Sequence, residues 1–264
     1  MHLALLRLKH TKCFDTELLA TPRISIDQRD SQGRTPLAWA AYHGEVEAVK
    51  KLLQRGADPN IADLRGDTPF HLAACAGGCQ ATQCLASLLQ VGADIDACNV
   101  WGGTALILSI RYRGRNSLKF LLDSGAKYCT MDTNGRSLLN YAVFYGSISI
   151  LSIMQRAGLH SLNIDLVDEY GRTAMQIAQW RRDFNAEWSI WYSLPEDKDP
   201  LEWFRAFKDL LDSIRAADIA KHYTDFAALI NSDVEWDSGE DTKQQTQENW
   251  MSLPGSFPAE EDKE

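Results

Sequence analysis

The side chains best able to do chemistry are spread along the chain rather than gathered. There are six cysteines, Cys13, Cys75, Cys79, Cys84, Cys98 and Cys129, and six histidines, His2, His10, His43, His71, His160 and His222. A zinc site takes two close cysteine pairs, or one pair with nearby histidines. No C-x-x-C spacing occurs, and Cys75 with Cys79, which can share a helix face, reads as two small buried thiols. A secreted disulfide scaffold is smaller and denser in cysteine. The chain also lacks a G-x-x-x-x-G-K-[ST] phosphate loop, a G-x-S-x-G elbow and an H-E-x-x-H pair. The expectation is therefore a non-enzymatic chain with no cofactor, no metal and no small-molecule substrate.

Charge narrows the partners. The 264 residues carry a net charge of −9. Residues 232 to 264 hold ten acids against Lys243 and Lys263, a balance of −8, so the remainder is near neutral. That argues against direct nucleic-acid binding by a basic face. The one basic knot, "RYRGR" at 111 to 115, reads as a solvated inter-helix loop; phosphate binding is its alternative. Arg7 and Lys9 interrupt the first apolar run, which speaks against a signal peptide. No later stretch is apolar for long enough to span a membrane, so a cytoplasmic or nuclear location is expected. With 45% hydrophobic residues the chain can bury a continuous core.

The elements that must carry any site repeat. "DLRGDTPFHLAA", residues 63 to 74, reads as a tight turn running into a helix. Asp63 can accept backbone hydrogen bonds, Gly66 tolerates a positive φ, Thr68 can cap, and Pro69 fits the first helical position. The same spacing returns upstream in Asp30, Gly33, Thr35 and Pro36. Downstream it returns in Asn99, Gly102 and Thr104, then Asp132, Gly135 and Ser137, then Asp168, Gly171 and Thr173. The turn glycines step alternately by 33 and 36 residues, which signals an array of stacked units. The pair Ala40-Ala41 keeps the first helix of a unit thin. "GEVEAVKKLLQRGADPN" then predicts a second helix, with Val46, Val49, Leu52 and Leu53 on one face and Gly56 ending it.

Turn, helix, turn, helix with "TPFHLAA" resembles the ankyrin repeat, whose signature is T-P-L-H-x-A. The first full unit has Ala38 where that family has His. The third, "NVWGGTALILSI", lacks both Pro and His, and the fourth, "DTNGRSLLNYAV", keeps only turn and helical pattern. The divergent flavour resembles ankyrin proteins of filamentous fungi. The resemblance implies an all-α solenoid with β-turn tips, and it implies that the His71 ring hydrogen-bonds between adjacent turns.

The expected organisation is a partial repeat over 1–29 and five repeats over 30–193 (30–62, 63–98, 99–131, 132–167 and 168–193). An amphipathic helical cap over 194–230 and a disordered acidic tail over 231–264 follow. His2 precedes Asp30 by the 28 residues that separate His71 from Asn99, so the chain is expected to start inside a repeat, as a truncated cap or as a piece of something longer. The cap stripe is Leu201, Phe204, Phe207, Leu210, Leu211 and Ile214; covering the last repeat and binding a partner as a helix are its two readings. The tail sets Trp236, Trp250, Met251, Leu253 and Phe257 among acids, as an activation segment does, and a solubilising tail is the alternative.

Ankyrin arrays usually meet protein partners with their turn tips and inner helices, which form a concave face. Carried over by register, the binding residues are Tyr42, His43, Arg65, Trp101, Arg111, Tyr112, Phe144, Tyr145, Tyr170, Trp180 and Arg181, with Asp67, Asn134, Arg136, Glu169 and Arg172 also at the tips. The groove is centred on Trp101, Arg111, Tyr112 and Tyr145, and Phe144 and Tyr145 can instead wedge between imperfect repeats. Trp, Tyr and Arg dominate interface hot spots. The function expected is a scaffold or adaptor binding a protein partner. A transcriptional co-regulator recruiting through the tail, or a regulatory piece of a larger enzyme or nucleotide-binding protein, are the alternatives. The weaker third and fourth units predict easier opening after about residue 100.

Overall fold

The structure is a computed structural model that describes residues 25–183 and 199–231, with side chains described to residue 225. Residues 1–24 of the expected partial repeat, 184–198 and the acidic aromatic tail from 232 lie outside the described residues. The chain divides into two compact units, Met1–Lys221 and His222–Glu264, and the contacts below belong to the first.

Each unit begins with a turn built by one side chain. Asp30 Oδ1 accepts from the amides of Gln32 (2.8 Å) and Arg34 (2.9 Å). Asp63 does the same for Arg65 and Asp67, Asn99 for Trp101 and Gly103, Asp132 for Asn134 and Arg136, and Asp168 for Tyr170 and Arg172. This is the local bonding that makes Asp and Asn turn residues. The turn closes only with a left-handed fourth residue, and Gly66 takes φ +76° there. A Cβ on Gly66 would also lie 2.8 Å from the Val100 amide nitrogen, so the residue serves both the turn and the approach of the next one.

Successive turns are stitched by backbone bonds: Leu64 N–H to Gln32 O (3.0 Å), Val100 to Arg65 (3.0 Å), Thr133 to Trp101 (2.9 Å) and Glu169 to Asn134 (3.1 Å). Thr35, Thr68, Thr104, Ser137 and Thr173 each accept from the third helical amide, and so start the inner helices. These are α1 (Pro36–Tyr42), α3 (Pro69–Cys75), α5 (Ala105–Arg111), α7 (Leu138–Tyr145) and α9 (Ala174–Asp183). The outer helices are α2 (Val46–Gln54), α4 (Gly78–Gln90), α6 (Arg115–Asp123) and α8 (Ile148–Arg156), and α10 (Pro200–Asn231) follows. No strand forms among the described residues; two isolated bridges, Met131 with Ser137 and Val167 with Thr173, flank the later turns.

Each helix pair has one apolar side and buries it against the neighbouring pair. Ala40, Ala41, Ala73 and Ala74 are fully buried, and the core runs on through Leu52, Leu85, Leu88, Leu106, Ile110, Leu118 and Leu139. The end of this core is closed by α10, whose Trp203, Phe207, Leu210, Leu211 and Ile214 are buried. Leu201, expected in that stripe, is exposed, and Trp203 takes the first anchoring place instead. The reason is a hydrogen bond: Trp203 Nε1–H donates to Gly146 O at 2.9 Å and sets the rotation of the helix. Further along, Ser161 N–H donates to Asp218 and Lys221 Nζ reaches Ser161 Oγ.

Candidate functional site

The second oxygen of each turn acid decides which side chains are held at the tips. Asp30 Oδ2 accepts from Trp39 Nε1–H (2.8 Å), and Asp132 Oδ2 from the Tyr141 hydroxyl (2.9 Å). Both aromatics stand nine residues after the acid, a spacing the sequence reading did not single out. Asp63 instead takes Arg34 (3.1 Å), and Asp168 takes Arg172 (2.6 Å). Burial raises the Asp168 carboxyl, but the Arg172 bonds, with the turn amides, outweigh it and hold the group below the usual carboxylate range. Asn99 Nδ2 donates to Asp67 (2.9 Å), which buries Asp67 rather than offering it at a tip.

Eight of the named binding residues are exposed. Trp101 is 48% exposed, Tyr112 55%, Tyr170 66% and Trp180 49%, with Tyr42, His43 and Arg65 also open. Arg111 is exposed too, its guanidinium 6.0 Å from the Tyr145 ring centre. Tyr145 is half-buried against the core and stacks on Tyr141. His43 stacks on Trp39 at 5.7 Å, and Arg34 lies over both Trp39 and Tyr42. Arg172 lies over Tyr170 (4.6 Å) and Trp180 (5.3 Å). Guanidinium-over-ring pairs of this kind fix aromatic faces while leaving their edges open.

Two named residues face inward. Phe144 is 7% exposed and packs into the core, with the Arg136 guanidinium 5.7 Å from its ring centre. Arg181 is 3% exposed: its Nη1 donates to Val143 O (2.7 Å) and Gly146 O (3.1 Å), and its guanidinium lies 3.7 Å from the Trp203 ring centre. It pins α10 to α7 and is not available to a partner. The sequence reading also passed over Leu64, Val100, Met131 and Val167, which are exposed at or just before the tips. Their signal was position alone, at the second turn residue or before the turn acid.

His71 bridges adjacent turns. Its Nδ1 accepts from Thr68 N–H (3.2 Å) and faces Thr68 Oγ1 (2.9 Å), so Nε2 carries the proton and donates to Gly103 O at 3.1 Å. Burial pushes the ring's pKa down, against the pull of Asp67. In the fourth unit Asn140 stands in this place: its Oδ1 accepts from Ser137 N–H (2.9 Å) and Oγ–H (2.7 Å), while its buried Nδ2 has no partner. The shorter amide keeps the local cap but not the reach to the next turn.

Burial pushes the Cys75 and Cys84 thiols up to about 12, which keeps them protonated and unreactive at neutral pH. Among the described residues no group of three or more His, Cys, Asp and Glu side chains is placed to hold a metal. No described helix is long and apolar enough to cross a membrane.

Turn, capped inner helix, outer helix and cross-turn histidine together define a stacked helical-repeat protein, and comparison gives the family. A family model described as ankyrin repeats (3 copies) matches residues 1–63 and 55–132, half of the chain. The chain belongs to the ankyrin-repeat family. It is 30% identical over 133 residues to transient receptor potential cation channel subfamily A member 1 of Homo sapiens, covering 50% of this chain and 12% of that protein. It is 32% identical over 147 residues to the putative palmitoyltransferase ZDHHC13 of Danio rerio, covering 55% and 22%. It is 33% identical over 132 residues to neurogenic locus notch homolog protein 1 of Homo sapiens, covering 50% and 5%. The chain thus spans less than a quarter of the length of these relatives. Among solved structures, the crystal structure of an ankyrin repeat domain from Acinetobacter baumannii is similar, with a TM-score of 0.56 and 25% identity over 74% of this chain and 88% of that one. Ankyrin repeats are in general protein–protein interaction modules.

Proposed function

We propose that this chain is a non-enzymatic scaffold or adaptor that binds a protein partner with its turn tips and inner helices. The observation that carries this reading is the exposure of Trp101, Tyr112, Tyr170 and Trp180 on those elements. Large aromatics at these positions cost solvation in the free chain and fill no core. They are the residue type that anchors interfaces, and a partner covering them would bury about 1,600 Å² in total. The binding set is Tyr42, His43, Arg65, Trp101, Arg111, Tyr112, Tyr145, Tyr170 and Trp180. The array is proposed to work in the cytoplasm or nucleus, without membrane, nucleic acid or small-molecule substrate. The test is affinity capture with the intact chain and with Trp101→Ala/Tyr112→Ala. A partner retained by the folded double variant would overturn the reading.

A second reading, a regulatory segment of a larger protein, draws support from the palmitoyltransferase and channel relatives, of which this chain matches only a part. Transcripts extending the reading frame upstream into a catalytic or channel domain would favour it.

A further inference from the structure

Arg34, Arg65, Arg111, Arg136 and Arg172 lie at turn tips or inner-helix ends, and they are not equivalent. Arg34 pairs with Asp63, Arg136 with Glu169 (3.4 Å) and Arg172 with Asp168. Arg65 and Arg111 are exposed and have no ion-pair partner among the described residues. The acids of the same face are already engaged: Asp63, Asp67 and Asp168 are buried, and Asp30 and Asp132 hold turn amides and an aromatic donor. In a chain of net charge −9 the third full repeat, 99–131, holds Arg111, Arg113, Arg115, Lys119 and Lys127 against Asp123 alone, and Arg65 of the second repeat adds a further cation at its tip.

The same place is a step in side-chain size. The last residues of α1, α3 and α5, which pack side by side, are Tyr42, Cys75 and Arg111, and each is followed by His43, Ala76 and Tyr112 in turn. Cys75 and Ala76 are partly exposed and small between two bulky neighbours. Cys75, Arg111, Asp67 and Tyr42 all lie close enough to act on the Tyr112 hydroxyl, with the Asp67 carboxylate buried and already bonded by Asn99. The Cys75 thiol stays uncharged, so the floor is apolar and the walls are aromatic; Arg111 is the exposed charge beside it, while the Asp67 carboxylate is buried beneath.

We propose that this place binds a linear acidic segment of a partner protein, with a bulky apolar side chain over Cys75 and Ala76 between Tyr42 and Tyr112, and carboxylates on Arg65 and Arg111. The proposal rests on the protein-binding reading above and adds the chemistry of the partner. Arginine takes carboxylates through paired N–H donors, and a partly desolvated rim strengthens such bonds. Flanking charges also select against basic segments and speed encounter at low salt. An aromatic-lined seat between them supplies an anchor of the hot-spot kind.

The test uses the full chain to select from a phage-displayed random dodecapeptide library, followed by fluorescence titration of the enriched peptides. The expected consensus carries a net negative charge around at least one large apolar residue. Affinity should fall at least tenfold in Arg65→Glu/Arg111→Glu and fall as salt rises from 0.05 to 0.5 M. Circular dichroism and urea unfolding show whether each variant is folded. Cys75→Leu, which fills the seat, should weaken binding while leaving the charges in place. Neutral or basic peptides that are lost in Trp101→Ala/Tyr112→Ala would overturn this proposal and leave the binding face intact. Peptides indifferent to every variant, or no enrichment at all, would overturn both. A 20-base-pair duplex DNA displacing the peptides with the same dependence on Arg65 and Arg111 would make the patch a phosphate site and also overturn it.

Discussion

Removing the His71 ring tests how much of the array is held by bonds between units. His71→Ala deletes the acceptor of the Thr68 amide and the donor to Gly103 O, both in a buried setting. Two hydrogen bonds at about 1 kcal/mol each, with a cavity the size of an imidazole, put the loss at about 3 kcal/mol. His71→Asn copies what the chain does at Asn140, keeping the local cap and losing the cross-turn bond, so its cost should be about 1 kcal/mol. The histidine also predicts a pH dependence. Burial lowers its folded pKa below the ordinary value of about 6.5, so the folded chain binds fewer protons than the unfolded one. Its contribution is complete above that value and is lost as pH falls through it toward the folded pKa. Protonation would place an N–H on Nδ1 against the Thr68 amide, which gives the same sign from geometry. Urea unfolding at pH 7.5 and pH 5.5 should show the wild type losing more stability on acidification than either variant. A cost below about 0.5 kcal/mol for His71→Ala, within the range of surface changes, would refute the reasoning, as would an unchanged pH difference.

The mirror experiment is Asn140→His, which should stabilise by about 1 kcal/mol by extending a ring nitrogen toward the next turn and removing an unpaired buried amide; a lower urea midpoint would contradict it. Trp203→Ala should cost about 3–5 kcal/mol and uncover the last repeat, read as a lower melting temperature with self-association in size-exclusion chromatography. Amide exchange should be faster after about residue 100, where the helix-start prolines are missing and the Ser117 hydroxyl and Asn140 amide are buried without partners. Equal protection across all repeats would contradict that expectation.

How much of this was legible in the sequence followed from the range of each interaction. The turn acids, their glycines, the capping Thr and Ser residues and the cross-turn histidine were read directly, because each acts within a few residues or repeats at a fixed period. The exposed positions of Trp101, Tyr112 and Trp180 came from register in the same way. The register misled at Phe144 and Arg181. Both occupy places that face outward in a regular repeat, and both turn inward where the array departs from its pattern and meets α10. The Arg181 guanidinium is fixed by carbonyls 38 and 35 residues away and by a tryptophan beyond residues 184–198, which lie outside the description.

The choice of partner for each turn acid shows the same division. The sequence by itself determined that an Asp or Asn would fold each turn, because one of its oxygens is satisfied by amides two and four residues on. It did not determine what the other oxygen holds, since an aromatic nine residues on, an arginine four residues on and an arginine of the preceding unit each take that place at different turns. Packing of neighbouring repeats brings Arg34 to Asp63 and Arg136 to Glu169, while Arg172 pairs within its own unit, and Arg65 and Arg111 are left without an ion-pair partner among the described residues. Local hydrogen bonding wrote the repeat into the sequence; the distribution of unspent charge and exposed ring surface exists only once the repeats are stacked.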